Sequence, residues 1–158
     1  MVFHNIEPVF DEHSRILILG SFPSVKSRES GFFYGHPQNR FWLVTAAVRN
    51  APVPKTVEEK KNFLIKEKIA VWDTLAHCEI KGSADSSITG AAPNDISKIL
   101  NSAPIERIFT NGKKAFEMYR KYIEPKTGIR AYCLPSTSPA NAAYSLERLI
   151  EEWRAVNI

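Results

Sequence analysis

The chain is 158 residues long and 44% hydrophobic, which suits a single domain, residues 1–158, with a packed interior. Lysine and arginine outnumber aspartate and glutamate 21 to 17, a formal charge of +4 with a pI near 9.1, and this balance favours a polyanionic partner without naming one. Cys78 and Cys133 lack CxxC spacing, so nothing supports a zinc site or an iron–sulfur cluster; with no signal core and no run of about eighteen apolar residues, an intracellular, cytoplasmic protein that avoids membranes is expected.

The first element in chain order is the apolar run Arg15 to Leu19, a buried central strand opening into the turn Gly20-Ser21-Phe22-Pro23-Ser24. From Asn39 onward, Phe41, Trp42, Val44 and Val48 keep helical spacing, with Asn39 placed to cap. Val57 to Lys68 is charged and helix-favouring, and Ile69 to Trp72 reads as a second buried strand closed by Asp73-Thr74. His77 to Gly90 is rich in Gly, Ser and Asp and is expected to be a surface loop. Asn94 or Asp95 then caps a helix presenting Ile96, Ile99 and Leu100, and Arg107 to Thr110 makes a third strand that turns at Asn111-Gly112. Ala115, Phe116 and Tyr119 mark another helix, and Arg130 to Leu134 a fourth strand ending at Pro135-Ser136. A closing helix follows, with Pro139 in its first turn and Leu146, Leu149, Ile150, Trp153 and Val156 as its apolar stripe.

Four strands separated by helical connections favour a three-layer α/β/α sandwich with a central four-stranded parallel sheet. In such folds ligands gather at the C-terminal strand ends, where this chain places Gly20-Ser21-Phe22, Asp73-Thr74, Thr110-Asn111-Gly112 and Pro135 to Ser138. Neither G-x-x-x-x-G-K-[ST] nor G-x-G-x-x-G occurs, which argues against nucleoside triphosphates and dinucleotides.

Between the first strand and its helix lies Gly31-Phe32-Phe33-Tyr34-Gly35-His36-Pro37-Gln38-Asn39-Arg40-Phe41-Trp42. Aromatic faces beside an amide and a guanidinium suit a nucleobase held out of its stack, since rings cover the base while polar groups reach its edges. The same rings near a helix start also suit a core, and composition alone leaves both readings open.

With strand-Gly20-Ser21-Phe22-Pro23-Ser24 as a first motif, Gly31 through Trp42 as a G-F-x-x-x-H-P-x-N-R-F-W segment, and Leu134-Pro135-Ser136-Thr137-Ser138-Pro139 as a second motif, the chain resembles the uracil-DNA glycosylase superfamily over nearly its whole length. It departs where uracil-removing members usually carry Asn or Asp and this chain has Phe22, and where they offer His or Asn and this chain has Leu134. With Asn39 retained and Cys78 to Ile88 following, it is most similar to the hypoxanthine-DNA glycosylase branch.

The resemblance implies a uracil-DNA glycosylase-like fold and a monomeric repair enzyme that flips deoxyinosine from DNA and hydrolyses its N-glycosidic bond without cofactor or metal. Asn39 becomes the catalytic residue, its amide holding water through oxygen or donating to the base through nitrogen. Tyr34 aligns with the aromatic that stacks on the base; Gly20, Ser21 and Phe22 border it, Phe22 by covering the purine or by packing beneath the turn. His36 either fixes its turn or assists the departing purine. Ser136, Thr137, Ser138 and Asn141, expected at the start of the closing helix, either cap it or hold a DNA phosphate, with Lys26 and Arg40 on a charged rim. The rivals are a uracil or mismatched-thymine glycosylase and a catalytically weak binder of damaged DNA.

Overall fold

A computed structural model describes residues 2–4 and 6–157. In chain order it contains β1 (Val2–Phe3), β2 (Ile16–Gly20), α1 (Val25–Ser30), α2 (Phe41–Val48), α3 (Val57–Lys66), β3 (Ile69–Asp73), β4 (Leu75–Glu79), β5 (Thr89–Pro93), α4 (Ser97–Leu100), β6 (Arg107–Asn111), α5 (Lys113–Tyr122), α6 (Glu124–Thr127), β7 (Ala131–Leu134) and α7 (Leu146–Trp153), with short 3-10 turns at Asp85–Ser87 and Arg154–Val156. Four strands form one parallel sheet in the order β3-β2-β6-β7. Every residue of β2 and β3 is buried, as expected of near-continuous apolar strands covered on both faces.

Helices flank this sheet. α3 packs on β3, α5 on β6 and β7, and α2 against α7, where the Phe41 and Trp153 rings meet edge to face at 5.8 Å. Thr56 caps α3, a cap not singled out from the sequence, and of the two residues expected at the start of α4 the Asp95 carboxylate, rather than Asn94, accepts the Ser97 N–H at 3.0 Å, with Ile96 between it and the helix. Among the described residues no helix is long and apolar enough to cross a membrane.

Two expectations need correction. His77 to Gly90 is not one loop, because His77–Glu79 belongs to β4 and Thr89–Gly90 to β5, which with β1 make a second, antiparallel sheet in the order β1-β4-β5. Its pairing shifts register on both sides of His77, and this irregularity broke the period-two pattern that would have announced a strand. Between the sheets Phe22, Leu75, Cys78, Ile88 and Met118 form a small second core. The closing helix also starts later than expected: Ser145 accepts the Arg148 N–H at 3.2 Å and caps α7 at Leu146, so Pro139 lies in the irregular segment before it.

The parallel arrangement brings Gly20, Asp73, Asn111 and Leu134 to one edge of the sheet as the strands end. Segments 21–40, 80–88 and 135–145 leave the framework around that edge.

Candidate active site

A cavity of about 390 Å³ opens at this edge, floored by Gly20, Asp73 and Asn111 and walled by Tyr34, His36, Asn39, Asp85 and Ser136 to Ala140. Its size is that of a small-molecule or single-base pocket. All the base-directed residues expected from the sequence, Gly20, Ser21, Phe22, Tyr34, His36 and Asn39, line it, as do Ser136, Thr137 and Ser138; Lys26, Arg40 and Asn141 do not.

Asn39 is held by its oxygen. Oδ1 accepts the Phe41 N–H at 2.9 Å, serving the first turn of α2, and the Thr137 hydroxyl at 2.8 Å. Thr137, fully buried, accepts in turn from Asn111 Nδ2 at 2.9 Å and donates its N–H to Asn111 Oδ1 at 3.0 Å. Two donors occupy both lone pairs of the Asn39 oxygen, so the carboxamide is fixed with Oδ1 engaged, and the residue borders the cavity with its Nδ2 hydrogens uncommitted to either of these bonds. Of the two uses foreseen for this amide, donation is the one the geometry leaves open.

Tyr34 stacks on Phe41, ring centroids 4.0 Å apart and planes 13° from parallel, while its carbonyl accepts the Trp42 indole N–H at 3.3 Å. Its backbone is left-handed, φ +50, and its hydroxyl is buried with no partner. Burial first, then the Asp73 carboxyl, pushes that phenol well above its ordinary range. Gly20 is required here: a Cβ at this position would lie 2.5 Å from Asp73 Oδ1 and 3.1 Å from the Tyr34 hydroxyl.

The Gly20 and Ser21 carbonyls are taken by the N–H groups of Thr74 at 2.7 Å and Leu75 at 3.0 Å, which ties this turn to the end of β3. Ser21 donates its hydroxyl to Asp85 Oδ1 at 2.6 Å. Phe22 is buried, its ring edge-on to His4 at 5.2 Å and beneath the Arg28 guanidinium at 5.4 Å, which is the packing role, with its border on the cavity retained. His36 Nδ1 accepts the Gln38 N–H at 3.0 Å, the contact of a turn-fixing residue, which makes Nε2 the protonated nitrogen of the neutral ring.

Around the rim, Lys26 is exposed and 3.8 Å from Glu29. Arg40 points away from solvent, its guanidinium donating to the Tyr144 carbonyl at 2.6 Å and the Asn141 carbonyl at 3.1 Å. The residues expected to cap a helix instead build a turn: Ser136 Oγ accepts the Ser138 N–H at 3.1 Å, Ser138 Oγ the Ala140 N–H at 3.2 Å, and Asn141 donates to the Ser136 carbonyl at 3.0 Å.

Asp73 and Asn111 were legible as strand ends bordering the expected cleft but without a role, and Asp85 carried no such signal; all three line the cavity. Asp73 is 4% exposed, and burial, reinforced by Asp85, pushes its carboxyl up to about 7. Asp85 is shifted upward too, by desolvation opposed by the Ser21 hydrogen bond. Among the described residues no group of three or more His, Cys, Asp or Glu side chains could hold a metal ion.

This arrangement fits known proteins. The model of the uracil DNA glycosylase superfamily matches residues 7–157. A hypoxanthine DNA glycosylase of Methanosarcina acetivorans is 36% identical over 158 residues, covering 99% of this chain and 98% of that protein. One from Methanosarcina barkeri is 32% identical over 136 residues, 85% of each. A solution NMR structure of a candidate uracil DNA glycosylase from M. acetivorans superposes with a TM-score of 0.84 at 34% identity, covering 99% of this chain and 96% of that one.

Proposed function

The chain belongs to the uracil DNA glycosylase superfamily, and we propose that it hydrolyses the bond between N9 and C1′ of deoxyinosine in DNA, releasing hypoxanthine and leaving an abasic site. The observation that carries this reading is Asn39, whose carboxamide is locked by its oxygen at the border of a base-sized cavity beside Tyr34, which leaves its N–H donors for a base bound there.

Breaking the bond puts positive charge on the sugar and negative charge on the departing purine, so fixed donors aimed at the purine lower the barrier without reorganising. Asn39 Nδ2 supplies such donors. It does not titrate and cannot remove a proton, and with its oxygen already engaged it assists the departing base rather than activating water. The Tyr34 face turned away from Phe41 offers a stacking surface worth roughly 1–3 kcal/mol, comparable to the cost of flipping a mispaired base. Hypoxanthine carries an O6 acceptor where adenine has an amino group, so a fixed donor at that edge of the base separates the two.

For DNA, Ser136 and Ser138 accept backbone hydrogen bonds through Oγ and retain their own hydroxyl protons for a phosphate. Lys26 is free to approach the backbone, whereas Arg40 serves by holding the loop that carries Asn141.

Single-turnover excision from duplexes carrying hypoxanthine, uracil, xanthine or thymine tests the reading. Hypoxanthine release by the parent, reduced roughly 10²- to 10³-fold in a folded Asn39→Ala variant, is the expected result. Parent-like release by that variant removes Asn39 from catalysis; preferential uracil release or tight binding with the base retained favours one of the two rival activities.

A further inference from the structure

Hydrolysis needs a group that the chemistry above leaves unassigned, an acceptor for the proton that the attacking water gives up. The cavity offers few. The Asn39 oxygen already accepts from Phe41 and Thr137, and a carboxamide does not titrate. His36 accepts the Gln38 N–H through Nδ1, so its neutral ring has no second lone pair to offer. Asp73 is 4% exposed, and burial together with Asp85 pushes its carboxyl up to about 7, so much of it is protonated at neutral pH. Asp85 is the ionisable acceptor that remains. It borders the cavity, is open to solvent, and takes the Ser21 hydroxyl at 2.6 Å on Oδ1. That length is typical of a hydroxyl donating to an ionised carboxylate, about 2.5–2.7 Å. Among the described residues Ser21 is the one hydrogen-bond partner of this side chain, which leaves Oδ2 with its lone pairs.

A purely structural use explains less. Segment 80–88 is anchored without this carboxylate: Ser83 Oγ accepts the Val25 N–H at 2.9 Å, Arg28 donates to the Gly82 carbonyl at 2.8 Å, and Ser87 Oγ accepts the Lys81 N–H at 2.8 Å. What Asp85 adds is a negative charge beside the turn that follows β2. Around it stand Asp73 at the end of β3, the Tyr34 phenol, the Cys78 thiol of β4 and Lys114 in the first turn of α5, while Arg28 of α1 holds the nearby Gly82 carbonyl.

Resting on the deoxyinosine reading, we infer that Asp85 is a catalytic residue, the general base that takes a proton from the water attacking C1′. As the water oxygen bonds to C1′, the bond from C1′ to N9 breaks and its electron pair leaves with the purine. The proton shed by water passes to Asp85 and then to solvent, and the purine anion takes one proton from solvent. Asn39 and Asp85 thus divide the work, a donor for the departing purine and an acceptor for water. The carboxylate also opposes the positive charge that builds on the sugar. Desolvation raises the Asp85 carboxyl above the ordinary carboxylate range while the Ser21 bond and Lys114 draw it back, and the net rise moves it toward the working range of a general base. Because the ionised form is the active one, the rate is full at neutral pH and falls as the pH drops through this carboxyl.

The test follows hypoxanthine release in single turnover from pH 4.5 to 8.5 for the parent, Asp85→Asn and Asp85→Glu, with affinity for abasic product DNA measured alongside. Asp85→Asn keeps an acceptor for Ser21 but supplies no base. It is expected to be slower by roughly 10²- to 10³-fold at neutral pH and to lose the acid limb of the parent, a fall of about tenfold per pH unit below the titration of the carboxyl. Asp85→Glu restores the limb and part of the rate. Product affinity is unchanged or slightly tighter in both, since neither substitution removes a positive charge from the DNA side. An acid limb shared by the parent and Asp85→Asn belongs to another group, Asp73 foremost, and overturns the inference. So does an Asp85→Asn rate within about threefold of the parent, the outcome for a carboxylate that only braces Ser21, or a loss of rate matched by a loss of product affinity. A parent that releases uracil but not hypoxanthine, with the same response to Asp85→Asn, refutes the deoxyinosine assignment and leaves water activation by Asp85 standing. A parent that releases neither overturns both.

Discussion

The two long walls of the cavity are built by different physics. Segment 31–42 is aromatic and packs its rings inward: Phe32, Phe33, Phe41 and Trp42 are all buried in the main core. Segment 135–145 is built mostly of Ser, Thr, Asn, Pro and Ala, with Tyr144 its one large ring packed on the core; it is tied to the first wall and to Asn111 by hydrogen bonds. The first wall is thus part of what makes the protein fold. The second is a dependent structure, positioned by Thr137 bonded to Asn39 and Asn111 and by Arg40 bonded to its backbone carbonyls.

Substitutions in the two walls should therefore fail in different ways. Phe41→Ala should be the most damaging, since Phe41 is wholly buried against Tyr34, Trp42 and Trp153; a loss of about 3–5 kcal/mol in urea unfolding is expected. Little or no stability loss would mean that the ring packing is not what holds this wall. Thr137→Val keeps the side-chain shape but removes the hydroxyl between Asn39 and Asn111, at a cost of about 1–3 kcal/mol. Freed from Thr137, Asn39 should also lose its fixed orientation, with excision slowed about tenfold beyond any change in DNA affinity. A variant that unfolds earlier but excises at the parent rate would separate the two walls more completely than the geometry suggests. Arg40→Ala should have the smallest effect on stability, about 1 kcal/mol, and should raise KM more than it lowers kcat, because it releases the loop from Asn141 to Tyr144. Arg40→Lys should recover little of this, since one ammonium cannot serve two carbonyls in the manner of the guanidinium fork.

The same contrast explains what could be read from the chain itself. Strands β2, β3 and β6 are unbroken apolar runs, and their parallel pairing follows from burial on both faces. Strands β4 and β5 escaped notice because bulged pairing and residues such as Gly90 erase alternation, although the buried Cys78 and Ile88 were there to be found. Ser136 to Pro139 looked like a cap followed by a first-turn proline, yet these residues are claimed by Asn39, Asn111 and Asn141, and the helix waits for Ser145. In the site, Tyr34, His36 and Asn39 stood out because one short segment carries all three. Asp73 looked like the end of a strand. What distinguishes it is a missing partner, and that exists only once β2, β3 and the Tyr34 segment have met.

Tyr34 shows what such a site asks of the backbone around it. A bulky residue at φ +50 sits in a region that side chains with a Cβ avoid, at a penalty of about 1 kcal/mol or more that glycine would escape. Tyr34→Gly would relax the turn while deleting the ring from the cavity. Deleting that ring would forfeit its stack on Phe41, a loss of about 3–5 kcal/mol that outweighs the relieved strain, so the left-handed turn is held in place by the packing of the very ring it carries.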